Sequence, residues 1–173
     1  INETKQLVKK YPADSPAFDA IGYREIINYF QGKISLHEAI DLIKKKNEIW
    51  IGYVGRLESV KGWDLLAEAA KKIVRNYKNV KFVFVGNKTG KDKVLEKYKH
   101  PQILFTGHRD DALGFYKLFD IFILPSFAEG LPNALMEAMA SGCLCIAHNV
   151  GGVKDLIGHK INGLILQSNS PQN

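Results

Sequence analysis

Residues 120–149 read DIFILPSFAEGLPNALMEAMASGCLCIAHN. The stretch opens and closes on short apolar runs, in DIFILPS and in CLCIAHN, that are strand-like in length and composition. Between them, residues 133–141 are an unbroken run of helix formers. Pro132 fits the first turn of that helix, where its missing N–H is no loss. A strand, a helix and a second strand in thirty residues form one parallel crossover unit. Two glutamates punctuate it, Glu129 in the loop and Glu137 in the helix, with seven residues between them. A buried acid is costly unless something pairs with it, so two carboxylates in so apolar a segment call for partners.

Working outward, the same texture repeats from Ile49 onward. IWIGYVG, NVKFVFVG, QILFTG and NGLILQ are further short apolar runs, several ending in glycine. Helix-like stretches at 63–77, 91–97 and 111–118 lie between them. The strands carry valine, isoleucine and phenylalanine continuously rather than in alternation, which predicts burial on both faces. Six strands alternating with helices over about 120 residues predict an α/β fold with a doubly wound, parallel six-stranded, Rossmann-like sheet. Residues 1–48 read as helices only, with a capping box at Ser35–Glu38 and lysines 44–46 suited to a helix C-terminus. They predict an N-terminal helical appendage ahead of a domain at 49–173.

Composition bounds the partners. Of 173 residues, 46% are hydrophobic and 24% charged, the balance of a globular protein. No apolar run is long enough to span a bilayer. The net charge of +6 is concentrated in residues 49–173, which hold sixteen basic and eleven acidic residues. That excess suits a phosphorylated small molecule or an anionic membrane surface. The basic residues are scattered, with no aromatic-interleaved stripe, so nucleic acid is not the expected partner. Cys143 and Cys145 read as small core residues in a reducing compartment. The expected location is cytoplasmic, peripheral to the inner membrane face if the acceptor is lipid-linked. The chain begins with Ile1, and is read as an excerpt.

In a doubly wound sheet, ligands bind beyond the carboxyl ends of the strands. Gly55, Arg56 and Lys61 follow the first strand, Gly86 and Asn87 the second, and Arg109 the third. Pro125–Glu129 follow the fourth, and His148–Gly152 the fifth. Arginine and lysine supply charge for phosphate, and the start of the helix at Pro132 favours an anion. Glu129 and Glu137 would repel phosphate but suit hydroxyls on either side of it. A diphosphate flanked by sugars, a nucleotide sugar, fits that arrangement. Taken alone, each glutamate reads as a solvated acid; Arg56 and Lys61 nearby favour the ligand.

The segments GRLESVKGWDLLAEA, FVFVGN, FDIFILPSFAEGLPNALMEAMASGC and NVGGVKDLIGHKINGLIL closely resemble the C-terminal, donor-binding domain of glycosyltransferase family 4. Those are retaining enzymes of the GT-B architecture. The resemblance covers roughly residues 49–168. It implies that Arg56 and Lys61 bind the diphosphate, Glu137 the ribose hydroxyls, and Glu129 the transferred sugar. Backbone amides of Gly130, Leu131, Pro132 and Asn133 and their neighbours would help to hold sugar and phosphate, with Gly55, Gly86, Asn87 and Arg109 around the nucleotide. The acceptor, a sugar or a lipid-linked one, would need the family's N-terminal domain. The resemblance also implies a domain truncated at its C-terminus. The sequence has no Asp-x-Asp motif, so neither a metal nor another cofactor is expected.

Residues 1–48 resemble instead a helical segment near the C-terminus of tRNA dimethylallyltransferase, through AIGYREI and GKISLHEAI. That family needs a P-loop, and GNKTGKD at residue 86 is one residue short of its spacing. The segment therefore brings helices without that chemistry, as a natural fusion, an engineered chimera or a joining artefact. The expected function is the donor half of a retaining glycosyltransferase. The alternatives are a catalytically inactive nucleotide-binding module and, behind it, a tRNA-modification fragment.

Overall fold

The computed structural model describes residues 48–87 and 92–168. The helical reading of residues 1–47, the GNKTGKD segment beyond Asn87 and the last five residues lie outside them. From Ile49 on, the described residues belong to one compact unit. Its strands are β1 (Ile49–Val54), β2 (Val80–Val85), β3 (Ile103–Gly107), β4 (Ile121–Leu124), β5 (Leu144–His148) and β6 (Leu164–Leu166). They form one sheet in the order β3-β2-β1-β4-β5-β6, and every pairing is parallel. This is the doubly wound order, and its direction reverses between β1 and β4.

Burial on both faces explains the unalternating sequences. All six residues of β2 are buried, as are Trp50–Tyr53 of β1. Toward the edge the pattern fades, and β6 is only half-buried. Helix α1 (Trp63–Asn76) buries Trp63, Leu66, Ala67, Ala70 and Val74, a stripe at helical spacing. Trp63 meets Tyr98 and Phe105 edge-on, with ring centres 5.8 and 6.2 Å apart, and Phe105 stacks on Phe84 at 4.6 Å. Asp120 ties the far ends of the central strands together. Its carboxylate accepts from the Trp50 N–H at 2.8 Å, its own N–H donates to the Trp50 carbonyl, and its carbonyl accepts from Leu144.

The remaining helices are short: α2 (Asp92–Glu96), α3 (Ala112–Phe115), α4 (Asn133–Ala140) and α5 (Val153–Leu156). Two expectations need correction. The helix read over 111–118 is α3 followed by a tighter 3-10 turn, Tyr116–Leu118; Gly114 weakens a continuous helix. Pro132 is not in the first turn of α4 but precedes it as the cap, with extended backbone (ψ 99°). Its carbonyl accepts from the N–H groups of Leu135 and Met136. Helix α5 and a 3-10 turn at Ser59–Lys61 carry no sequence signal, because elements of three or four residues show no periodicity.

Gly52, in the middle of β1, has the Phe119 ring where a side chain would stand. Gly52→Ala should therefore lower stability by about 1–3 kcal/mol, the usual cost of overpacking. Urea unfolding measures it; an unchanged midpoint would mean that Phe119 moves aside freely.

Candidate functional site

A cavity of about 300 Å³ opens where the strand order reverses, beyond the carboxyl ends of β1 and β4. Its walls come from Tyr53–Arg56 at the end of β1 and just beyond it, Leu124 at the end of β4 and Ser126 after it, Lys61 and Glu129, and Leu131–Ala134 at the start of α4. Charge enters it from two loops 68 residues apart in sequence. The Lys61 Nζ donates to the Glu129 Oε1 at 2.8 Å, with both side chains largely buried. An ammonium has three protons to donate, so this bond leaves Lys61 capable of holding a second acceptor.

Local folding aims these groups. Gly62, at φ 66°, follows Lys61, and the Pro125 carbonyl fills the place of its absent side chain. The Phe127 N–H donates to the Val60 carbonyl at 2.8 Å. The loops after β1 and β4 are thus fastened to each other on either side of Lys61. Gly151, at φ 49°, does the same behind Glu129: a side chain there would collide with the Glu129 carbonyl. The Gly152 N–H donates to the Gly130 carbonyl at 2.8 Å. The loop after β5 therefore props the Glu129 loop and does not line the cavity.

Arg56 lines the cavity at its mouth. Its side chain is 72% exposed and donates to Glu58 at 2.8 Å. Its backbone is fixed from below, where the Tyr53 hydroxyl donates to the Arg56 carbonyl at 2.8 Å. Burial, and then the negative charge of Glu129, pushes the Tyr53 phenol well above its ordinary range. It acts as a neutral strut. Gly55, Leu131, Pro132 and Asn133 are in the wall, as Lys61 and Glu129 are.

Other residues singled out in the sequence lie outside the wall. The Arg109 guanidinium makes two 2.8 Å bonds to Asp111 and sits over the Phe115 ring. Gly86 packs against the Gly55 backbone, and the Asn87 carbonyl accepts from Leu57. Both shape the turn after β1. Gly130 turns its carbonyl to Gly152. Glu137, half-buried on α4, accepts from the Tyr116 hydroxyl at 2.8 Å. Tyr116 is fully buried, and burial followed by the Glu137 bond holds its phenol far above the usual value. Cys143 and Cys145 are free, buried thiols; burial pushes Cys145 up to about 12, so it is unreactive. Sequence reasoning missed Tyr53 and Tyr116, and it placed Ser126 in the stretch after the fourth strand without giving it a role. Tyr53 lies within β1 and carries no charge to mark it; Tyr116 lies 21 residues from its partner, and nothing in the sequence joins the two. Among the described residues, no group of three His, Cys, Asp or Glu side chains could hold a metal. No described helix is long and apolar enough to cross a membrane.

The sequence model described as glycosyl transferases group 1 matches residues 48–173. The chain belongs to this family. A second model, IPP transferase, matches residues 1–50. The UDP-Gal:alpha-D-GlcNAc-diphosphoundecaprenol alpha-1,3-galactosyltransferase of Escherichia coli is 33% identical over 132 residues, which are 72% of this chain and 34% of that protein. The chain spans about a third of the length of the curated relatives it matches. Among solved structures, the C-terminal domain of the group 1 glycosyl transferase LpcC from Francisella tularensis is 28% identical at a TM-score of 0.65, covering 75% of this chain and 73% of that one. Anabaena HepE in complex with UDP-glucose superposes at a TM-score of 0.68 with 22% identity, over 79% of this chain and 40% of that one. These likenesses carry the GT-B-type Rossmann fold of a group 1 glycosyltransferase.

The Tyr116–Glu137 bond yields a test that packing does not confuse. Tyr116→Phe keeps the buried ring and removes only the hydroxyl, leaving Glu137 without its partner. Stability should fall by about 1.5–3 kcal/mol, the range for a hydrogen bond to a charged group. Thermal unfolding checks it; a change within error would mean that water replaces the phenol without loss.

Proposed function

We propose that residues 49–173 bind the nucleotide-sugar donor of a retaining glycosyltransferase. Residues 1–48 would be a separate segment with no part in donor binding. The observation that carries the reading is the cavity at the sheet's switch point, where a cation, a carboxylate and the start of a helix meet. The group 1 family membership and the UDP-glucose named for the HepE structure support the donor class. Lys61 and Arg56 would hold the diphosphate, with the first N–H groups of α4 facing it. Glu129 would accept from hydroxyls of the transferred sugar, and Glu137 from the ribose. Gly55 and the Gly130–Asn133 backbone would border the donor, while Gly86, Asn87 and Arg109 would act by shaping loops near the base.

In the transfer, an acceptor hydroxyl oxygen bonds to the anomeric carbon as the bond from that carbon to the diphosphate oxygen breaks. The electron pair leaves on the nucleoside diphosphate, and the acceptor proton is released. Charge develops on the leaving oxygen, and Lys61 and Arg56 are the groups to stabilise it. The reaction would need no resident metal or other cofactor. The acceptor, a sugar or a lipid-linked one as in the name of the Escherichia coli relative, would dock on a further domain. A lipid-linked acceptor would bring the protein to the cytoplasmic membrane face, where a charge of +6 suits anionic lipid. For residues 1–173 alone the reading is donor binding without turnover.

A thermal-shift panel of UDP, GDP, ADP and their sugars tests this. A matching ligand at a hundredfold excess over its dissociation constant should stabilise by about 2.7 kcal/mol. Lys61→Ala should weaken the diphosphate by about 1.5–3 kcal/mol. Glu137→Ala should weaken a plain nucleoside diphosphate, whereas Glu129→Ala should mainly weaken the nucleotide sugar. A panel without any shift would sink the reading. Calorimetric losses at Glu129 that are equal for the two ligands would reverse the assigned orientation of the donor.

A further inference from the structure

Ser126 is fully buried, and its hydroxyl has no hydrogen-bond partner among the described residues. It stands apart from the other buried polar side chains there. Gln102 donates to the Tyr77 and Val80 carbonyls at 2.8 and 2.7 Å, and Thr106 to the Gly107 carbonyl at 2.9 Å. The Tyr53 and Tyr116 hydroxyls are bonded as well. A buried hydroxyl without a partner is unfavourable, and native proteins keep few of them. Where one persists, a functional reason is the first to examine.

The backbone cannot shift to relieve it. The Pro125 carbonyl is lodged against Gly62, the Ser126 carbonyl is 3.0 Å from the His148 Nδ1, and the Phe127 N–H is bonded to Val60. Those three contacts fix the residue on both sides and at its centre. Ser126 is one of the residues that line the switch-point cavity, with Lys61 and with Asn133 and Ala134 at the start of α4, and rotation about its own side-chain bond is what would turn the hydroxyl toward that space. Those neighbours favour an anion. A phosphate oxygen is the strongest acceptor such a site receives, and a hydroxyl bonds it well.

We infer that the Ser126 hydroxyl donates to a diphosphate oxygen of the bound donor, completing the anion side of the cavity. This deepens the nucleotide-sugar reading and rests on it. It also accounts for a hydroxyl where an alanine would suit the unliganded fold better: the group is unfavourable until the ligand arrives, a trade of stability for binding.

The test uses the full chain and Ser126→Ala, titrated by calorimetry with UDP, GDP and ADP, while ligand-observed NMR follows the corresponding nucleosides. The variant should bind the preferred nucleoside diphosphate at least tenfold more weakly, with the nucleoside unaffected. Its melting temperature without ligand should be unchanged or higher, because it loses a hydroxyl that no protein group satisfies. Equal affinity of variant and wild type for the diphosphate overturns the inference and leaves the nucleotide reading standing. A lower melting temperature with equal losses for nucleoside and diphosphate also overturns it, making Ser126 a core residue. A wild-type chain that binds none of the three diphosphates overturns both.

Discussion

The Pro125 carbonyl lies against the bare α-carbon of Gly62, and one strand of the sheet is thereby fastened to the loop of its neighbour. Much of the site follows from this contact. β1 and β4 are neighbours in the sheet but 66 residues separate the end of one from the start of the other in the chain. Parallel pairing brings their carboxyl ends level, yet it does not dictate what the loops beyond them do. The Gly62 contact and the Val60–Phe127 bond do so, by making the two loops one rigid body. Lys61 is then held between its two anchored neighbours and can reach Glu129. Holding the lysine side chain in one place still costs up to about 2 kcal/mol of rotamer freedom, which its bond to Glu129 must offset.

In the proposed donor complex, the ion pair that results would be half of a recognition site. In the unliganded chain, Lys61 and Glu129 neutralise one another in a partly buried wall, which lowers the cost of desolvating each. Neither is fully used. The ammonium has further protons, and the carboxylate has a second oxygen and further lone pairs. A ligand with an anion on one side and hydroxyls on the other can add to both without breaking the pair. A purely anionic ligand would meet the Glu129 charge, and a purely neutral one would leave Lys61 with nothing to add. The pair would thus favour a ligand of mixed chemistry.

How far this was legible in the sequence depended on the range of the interaction. β2 was legible because a centre strand buried on both faces must be apolar throughout. The span of α1 was legible because its stripe runs for four turns. The doubly wound parallel class followed from strand and helix alternation. Pro132 was misplaced by one position because proline tolerates both the cap and the first turn, and only the dihedral angle distinguishes them. Arg109 drew notice as a cation after a strand, but Asp111 two residues later takes its guanidinium, and that partner was visible in the sequence. Tyr116 and Ser126 were not legible. A buried phenol paired with a distant acid, and a hydroxyl paired with none, are facts of three-dimensional placement that leave no local pattern.

The two glutamates of the opening stretch end up differently supported, and the difference bears on how they work. Glu129 is held by a cation on another loop, so its charge is offset before any ligand arrives. The Tyr116 bond to Glu137 comes from a neutral phenol that stays protonated, which orients the acid without cancelling its charge. Glu137 is thereby held in a fixed direction and keeps further lone pairs, which in the proposed donor complex would accept from a pair of hydroxyls. Glu129 shares its strength with Lys61, and whatever draws on the lysine changes how strongly the glutamate can accept. An anion at Lys61 weakens the hold on Glu129 and frees that carboxylate for a hydroxyl nearby. In the proposed donor complex, phosphate binding would be coupled to sugar binding through the one 2.8 Å Lys61–Glu129 contact, and the Tyr116–Glu137 pair would stay out of that coupling.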